Sequence, residues 1–117
     1  MATPNLINAS TINGLTAVAA VTTTPTAILT NSAASGKAQR VNSLIVSNVN
    51  GTTPATVTVS IVRSAVSYRI VYLMSVPAAS SLDLIGKTVY LNEGDALNIS
   101  ASANSYLEAV VSYEEIS

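Results

Sequence analysis

Cysteine, histidine, tryptophan and phenylalanine are all absent from this 117-residue chain. Without cysteine there is no disulfide framework, no thiolate nucleophile and no sulfur redox centre. Without histidine the commonest metal ligand and the usual base partner of a serine or cysteine nucleophile are missing. Charge is nearly as scarce: 9% of residues are charged, against ~25% in ordinary globular chains. Five basic and six acidic residues leave a net charge of −1, too little field to neutralise phosphates or hold a membrane surface. Neither nucleic acid nor membrane is an expected partner, and no metal or cofactor is expected. Long apolar runs are also missing. Leu15 to Val21 spans seven residues, where ~20 are needed to cross a bilayer. The longer uncharged stretch from Val41 to Val62 is broken by Asn42, Asn48, Asn50, Gly51 and Pro54. With no basic start and no apolar centre of a secretory signal, the chain reads as soluble when synthesised.

In place of charge stand 13 threonines, 16 serines and 10 asparagines, a third of the chain, beside many valines and isoleucines. β-Branched side chains pack well on a pleated surface, and i, i+4 charge ladders that would support helices are missing. Turn signals recur at short intervals: Asn13-Gly14, Pro25, Ser35-Gly36, Asn50-Gly51, Pro77, Ile85-Gly86 and Glu93-Gly94-Asp95. Such spacing, with apolar runs between, marks a sandwich or barrel. The expected strands are Leu15–Val21, Thr26–Thr30, Gln39–Val49, Ala55–Arg63, Ser67–Val76, Ser81–Leu84, Thr88–Leu91, Ala96–Ala101 and Tyr106–Glu114. The chain is therefore expected to be all-β: a two-sheet antiparallel β-sandwich, Ig-like or jelly-roll, of eight or nine strands. Residues 1–12, with only Leu6, Ile7 and Ile12 among polar neighbours, read as an N-terminal arm or lead-in. Residues 13–117 read as a single β-sandwich domain.

Alternation assigns faces. In Ala55–Arg63, Val57, Val59 and Ile61 should point inward, and in Tyr106–Glu114 so should Leu107, Ala109, Val111 and Tyr113. Two strands are apolar on both sides. Val41 and Ile45 oppose Leu44 and Val46; Val71 and Leu73 oppose the face of Tyr68, Ile70, Tyr72 and Met74. In an antiparallel sandwich the outer face should be wetted and polar, so Val41, Ile45, Val71 and Leu73, with Leu6 and Ile7 of the arm, are the expected partner interface. That pattern points to a homo-oligomer or a larger assembly.

The remaining groups offer little chemistry. Glu93 and Asp95 flank Gly94, where turn formation is the simplest role; a Ca²⁺ site including Asp83 is the alternative and needs six or more oxygens. Lys37, Arg40, Arg63, Arg69 and Lys87 stand singly, as solubilising or edge-protecting charges, with no phosphate loop. Tyr68 and Tyr72 read as core bodies with rim hydroxyls; the alternative is a sugar-stacking platform. No base is placed to activate any hydroxyl, so no catalytic residues are assigned and the chain is not expected to be an enzyme.

The segment Arg40-Val41-Asn42-Ser43-Leu44-Ile45-Val46-Ser47-Asn48-Val49-Asn50-Gly51 resembles small virion structural proteins of tailed phages, those of cyanophages and other aquatic phages in particular. So do the turn Val89-Tyr90-Leu91-Asn92-Glu93-Gly94-Asp95 and the ending Ala101-Ser102-Ala103-Asn104-Ser105 followed by Val111-Ser112-Tyr113-Glu114-Glu115-Ile116. The resemblance runs from about residue 15 onward and rests on strand text. It implies a small β-sandwich on the phage particle surface, made in the host cytoplasm. Its implied role is that of a capsid cement (decoration) protein that binds the major capsid protein and stabilises the head. Other virion subunits are the alternative partners, in a neck, collar or tail-fibre component. A carbohydrate- or cell-surface-binding module is the reading from a different class.

Overall fold

The computed structural model describes residues 11–117. Among them are nine strands: β1 (Ile12–Ala20), β2 (Thr26–Thr30), β3 (Ala38–Asn48), β4 (Ala55–Arg63), β5 (Val66–Val76), β6 (Ser81–Asp83), β7 (Val89–Leu91), β8 (Ala96–Ala101) and β9 (Leu107–Ile116). Eight of the nine begin within two residues of where alternation and turn residues place them. The exception is β1, which starts at Ile12 rather than Leu15, paired with Ile116. The expected arm, with Leu6 and Ile7, lies outside the described residues apart from its last two positions.

All pairings are antiparallel and form two sheets. One runs β1-β9-β3-β6, with β7 also on β3; the other runs β2-β8-β4-β5. β6 and β7 pair with different stretches of β3, opposite Ile45–Ser47 and Gln39–Val41, and so act as one interrupted strand. The pairs are then nested: β4 with β5, β3 with β6 and β7, β2 with β8, β1 with β9. That is a long antiparallel hairpin rolled into two layers, the jelly-roll arrangement rather than the Ig-like one.

The core between the layers is aliphatic. Leu44, Leu91, Leu97, Leu107, Val21, Val41, Val46, Val57, Val59, Val76 and Val111 are its largest fully buried side chains, with Tyr106 and Tyr113 packed against its margin. The break between β6 and β7 is used as well: Leu84 and Ile85 turn into the core, held by Leu84 N–H on the Leu44 carbonyl at 2.8 Å and Ile85 N–H on Asp83 Oδ1 at 3.1 Å.

Two strands do not keep the expected faces. In β3, Val41 pairs with Tyr113 but Ser43 with Ser112, so Asn42 is an extra residue. A bulge of one residue reverses the parity of everything beyond it. Val41 therefore shares the inner face with Leu44 and Val46, and it is fully buried. In β5 the register slips twice: Val57 and Val59 face Met74 and Val71, and Ser60 faces Arg69. Val71 is thereby turned into the core, while Tyr68 and Tyr72 are exposed. Val41 and Val71 are thus core residues, not outward interface residues, and Tyr68 and Tyr72 are not core bodies.

Buried polar groups close one end of the sandwich. Asn31 donates from Nδ2 to the carbonyls of Lys37 and Leu91, both at 2.9 Å, and accepts from Ser35 Oγ at 2.6 Å. Asp95 accepts from Arg63 Nε at 2.8 Å and Nη2 at 2.6 Å, and from Asn92 N–H at 2.9 Å. Glu93 accepts from Gly36 N–H at 3.0 Å. Both Asp95 oxygens are satisfied in this way, as a buried carboxylate requires, whereas Glu93 takes the Gly36 bond on Oε2 and its Oε1 is buried without a partner among the described residues. The acids of the Glu93-Gly94-Asp95 turn therefore tie loops together, and among the described residues no cluster of three or more acids capable of holding a metal exists. Gly94 itself, at φ 86°, takes a backbone conformation that side chains resist.

Candidate functional site

With the turn acids committed to structure, what remains is surface. Three features stand out, each placed by strand register.

The first is a row across the outer face of the β1-β9-β3-β6 sheet. Val18 on β1 pairs with Val110 on β9, which pairs with Ile45 on β3. All three are exposed, Val18 to 73% and Ile45 to 41%. Thr16, Ser112 and Ser43 flank the row on one side and Glu108, Ser47 and Ser81 on the other, the two serines 2.8 Å apart, and Asp83 on β6 pairs with Ile45 at its end. The apolar stripe is one residue wide and crosses three strands.

The second is strand β5. Among the described residues it pairs with β4 alone, and no other strand lies beside its outer edge. Val66, Tyr68, Ile70, Tyr72, Leu73 and Met74 on this strand are all exposed, Leu73 to 55%. At the second slip Leu73 sits at φ 50°, and its N–H donates to Thr58 Oγ1 at 3.2 Å. An exposed, apolar edge of this length is a liability unless something covers it.

The third is a shallow recess of about 230 Å³ on the outer face of the β2-β8-β4-β5 sheet. Register sets Asn98, Ser60 and Arg69 side by side across β8, β4 and β5, with Ser100 and Thr58 in the next row. Arg69 lies 4.9 Å from the centroid of the Tyr72 ring.

Of the residues expected at a partner interface, Ile45 and Leu73 stand exposed on separate layers, Val41 and Val71 are in the core, and Leu6 and Ile7 lie outside the described residues. The cations are more engaged than isolated positions in the sequence suggest. Lys37 pairs with Glu115 at 3.2 Å, Arg40 with Glu114 at 3.0 Å and Arg63 with Asp95 at 2.6 Å. The Arg63 hydrogen bond, more than the opposing effect of burial, holds the Asp95 carboxyl below its ordinary range; Asp95 in turn raises Arg63. The row of Val18, Val110 and Ile45 was missed from the sequence because it joins residues from three strands. The alternation of β9 had already put Val110 on the outside, and only its pairing partners were lacking.

No family model matches the chain, and no curated protein matches it. Among solved structures it is similar to a chain of Bacillus endospore appendages, described as a novel family of disulfide-linked pili. Identity is 13%, the TM-score is 0.56, and the match covers 100% of this chain and 96% of that one. At that identity the likeness is one of fold. This chain has no cysteine, so the disulfide links of those pili have no counterpart in its own residues.

Proposed function

We propose that this protein is a non-enzymatic structural subunit of a phage particle, a capsid cement protein that docks on the major capsid protein and stabilises the head. The observation that carries the reading is the pair of exposed apolar features, the Val18–Val110–Ile45 row and the β5 edge. Each is too small for a stable interface alone. Many copies on a lattice, each adding a weak contact at a subunit junction, act together. Strand addition along β5 supplies main-chain hydrogen bonds, and the outer row supplies apolar area. A fold shared with a subunit of assembled pili is in keeping with this role, with noncovalent contacts in place of disulfides.

The test is deletion. Particles lacking the protein should lose their DNA at a lower temperature than complete ones, and purified protein added back should restore resistance. Unchanged heat resistance rejects the cement role. Copy number separates cement, present across the whole head, from a neck, collar or tail-fibre component, which is present in few copies.

A further inference from the structure

We propose that the recess on the outer face of the β2-β8-β4-β5 sheet binds an acidic saccharide, with Arg69 taking the carboxylate, Tyr72 the ring, and Ser60 and Asn98 the hydroxyls. This goes beyond the structural role. It uses the layer opposite the Val18–Val110–Ile45 row, so a copy docked through that row keeps the recess open.

The recess is built by register. Asn98, Ser60 and Arg69 form one cross-strand row and Ser100 and Thr58 the next. The slips in β5 place Tyr72 beside them instead of in the core. Ser60 faces outward, yet it is only 9% exposed, because it forms the floor. Among the described residues the side chains of Ser60, Asn98, Ser100 and Arg69 make no hydrogen bond within the protein, whereas Asn31 and Asn48 spend theirs holding loops together. Hydroxyl and amide groups gathered without internal partners, each able to donate, and all but the guanidinium able to accept, match a ligand that is itself covered in hydroxyls.

Arg69 specifies the charge. Three other cations of the chain are spent on Glu115, Glu114 and Asp95. Arg69 has no ion pair among the described residues, and no carboxylate lines the recess. Its guanidinium carbon lies 4.9 Å from the centroid of the Tyr72 ring, a cation–π contact. A planar guanidinium held in place suits two parallel hydrogen bonds to a carboxylate. Tyr72 is 64% exposed, so ring surface remains for the apolar C–H side of a sugar. A single cation is too few for a phosphate polyanion, whose binding rests on several neutralised phosphates. At about 230 Å³ the recess is smaller than the ~300–1,000 Å³ of sites that engulf a ligand. It therefore holds one residue of a saccharide chain lying across the sheet, with weak affinity per copy and gain from multiplicity on a particle.

The experiment is an NMR titration of the full chain with a panel of uronate and sialyl oligosaccharides, oligogalacturonate among them, each beside its methyl ester. The ester keeps the ring and removes the charge. At least one acidic member should saturate, shift the amides around Ser60, Arg69 and Asn98, and bind roughly tenfold tighter than its ester. Arg69→Gln should bring the acid down to the ester's affinity, and Tyr72→Ala should weaken both acid and ester, each with an unchanged melting temperature. Ile45→Ser, on the other layer, should leave the affinity for acid and ester unchanged. If no acidic member saturates, if Arg69→Gln binds as tightly as the native chain, or if an oligoglutamate peptide shifts the same amides as strongly, the proposal is overturned. A normal loss of heat resistance on deletion would leave the structural role standing in any of those cases.

Discussion

Strands β4 and β5 are partners in one hairpin, of similar length and similarly rich in apolar residues, yet they live in different surroundings. β4 lies between β8 and β5, and Val57 and Val59 on it are fully buried. Among the described residues β5 has a neighbour on one side only, slips register twice against it, and leaves six large apolar residues in water. The contrast teaches that apolar text alone does not make core. Position in the sheet and parity along the strand decide which residues are covered and which are left to seek a partner.

The same substitution on both strands breaks the comparison most directly. Val59→Asp puts an unpaired charge in the core and should cost about 4 kcal/mol or more, enough to unfold a marginal domain. Ile70→Asp on β5 should change stability by no more than ~0.5 kcal/mol. Urea denaturation of the two variants gives the answer, and equal losses would mean that β5 is covered in the folded chain.

The next effect lies at the end of the β4 strand, where Arg63 meets Asp95. Asp95→Asn weakens hydrogen bonds to a buried, charged acceptor and should cost roughly 2 kcal/mol. The folded-state pKa of Asp95 lies below that of the unfolded chain, so unfolding takes up a proton between the two values. The stabilisation is therefore complete above the unfolded value and is lost as pH falls through the folded one. Melting temperature followed downward from pH 5 should fall more steeply for the native chain than for Asp95→Asn.

The turn joining the two strands carries a smaller reserve. Ser64 and Ala65 both have positive φ, 53° and 63°, between the paired Arg63 and Val66. This is the geometry that favours Asn-Gly in a two-residue hairpin turn. Replacing the pair by Asn-Gly should raise stability by about 1 kcal/mol, measured by the same denaturation. A loss would show that the strain is offset by contacts of the native pair.

The smallest change in stability belongs to Ile70→Ser combined with Leu73→Ser, again no more than ~0.5 kcal/mol for the monomer. Its effect should appear on the particle, where quantitative mass spectrometry should count fewer copies. Full occupancy would remove β5 from the docking surface and leave the Val18–Val110–Ile45 row to carry it.

Much of this was legible in the residues. Val57, Val59 and Ile61, Leu97 and Ile99, and Leu107, Ala109 and Val111 point inward as alternation says, since a strand without a bulge keeps its parity from end to end. The faces of β3 and β5 were not legible, because the extra Asn42 and the two slips in β5 carry no glycine or proline to announce them. The Ser64-Ala65 turn was silent for the same reason. Glu93 and Asp95 read as turn formers, which says nothing of burial; they are buried because Gly36 and Arg63, distant along the chain, are brought to them.

Composition and local pattern settled what kind of element each stretch becomes and which chemistries the chain lacks, because propensity, alternation and the inventory of side chains are properties of neighbouring residues. Only the tertiary structure decided which residues face water and which cations are left unpaired. Those depend on pairing across the sheets, where one extra residue reverses a face and an edge strand has no second neighbour to cover it.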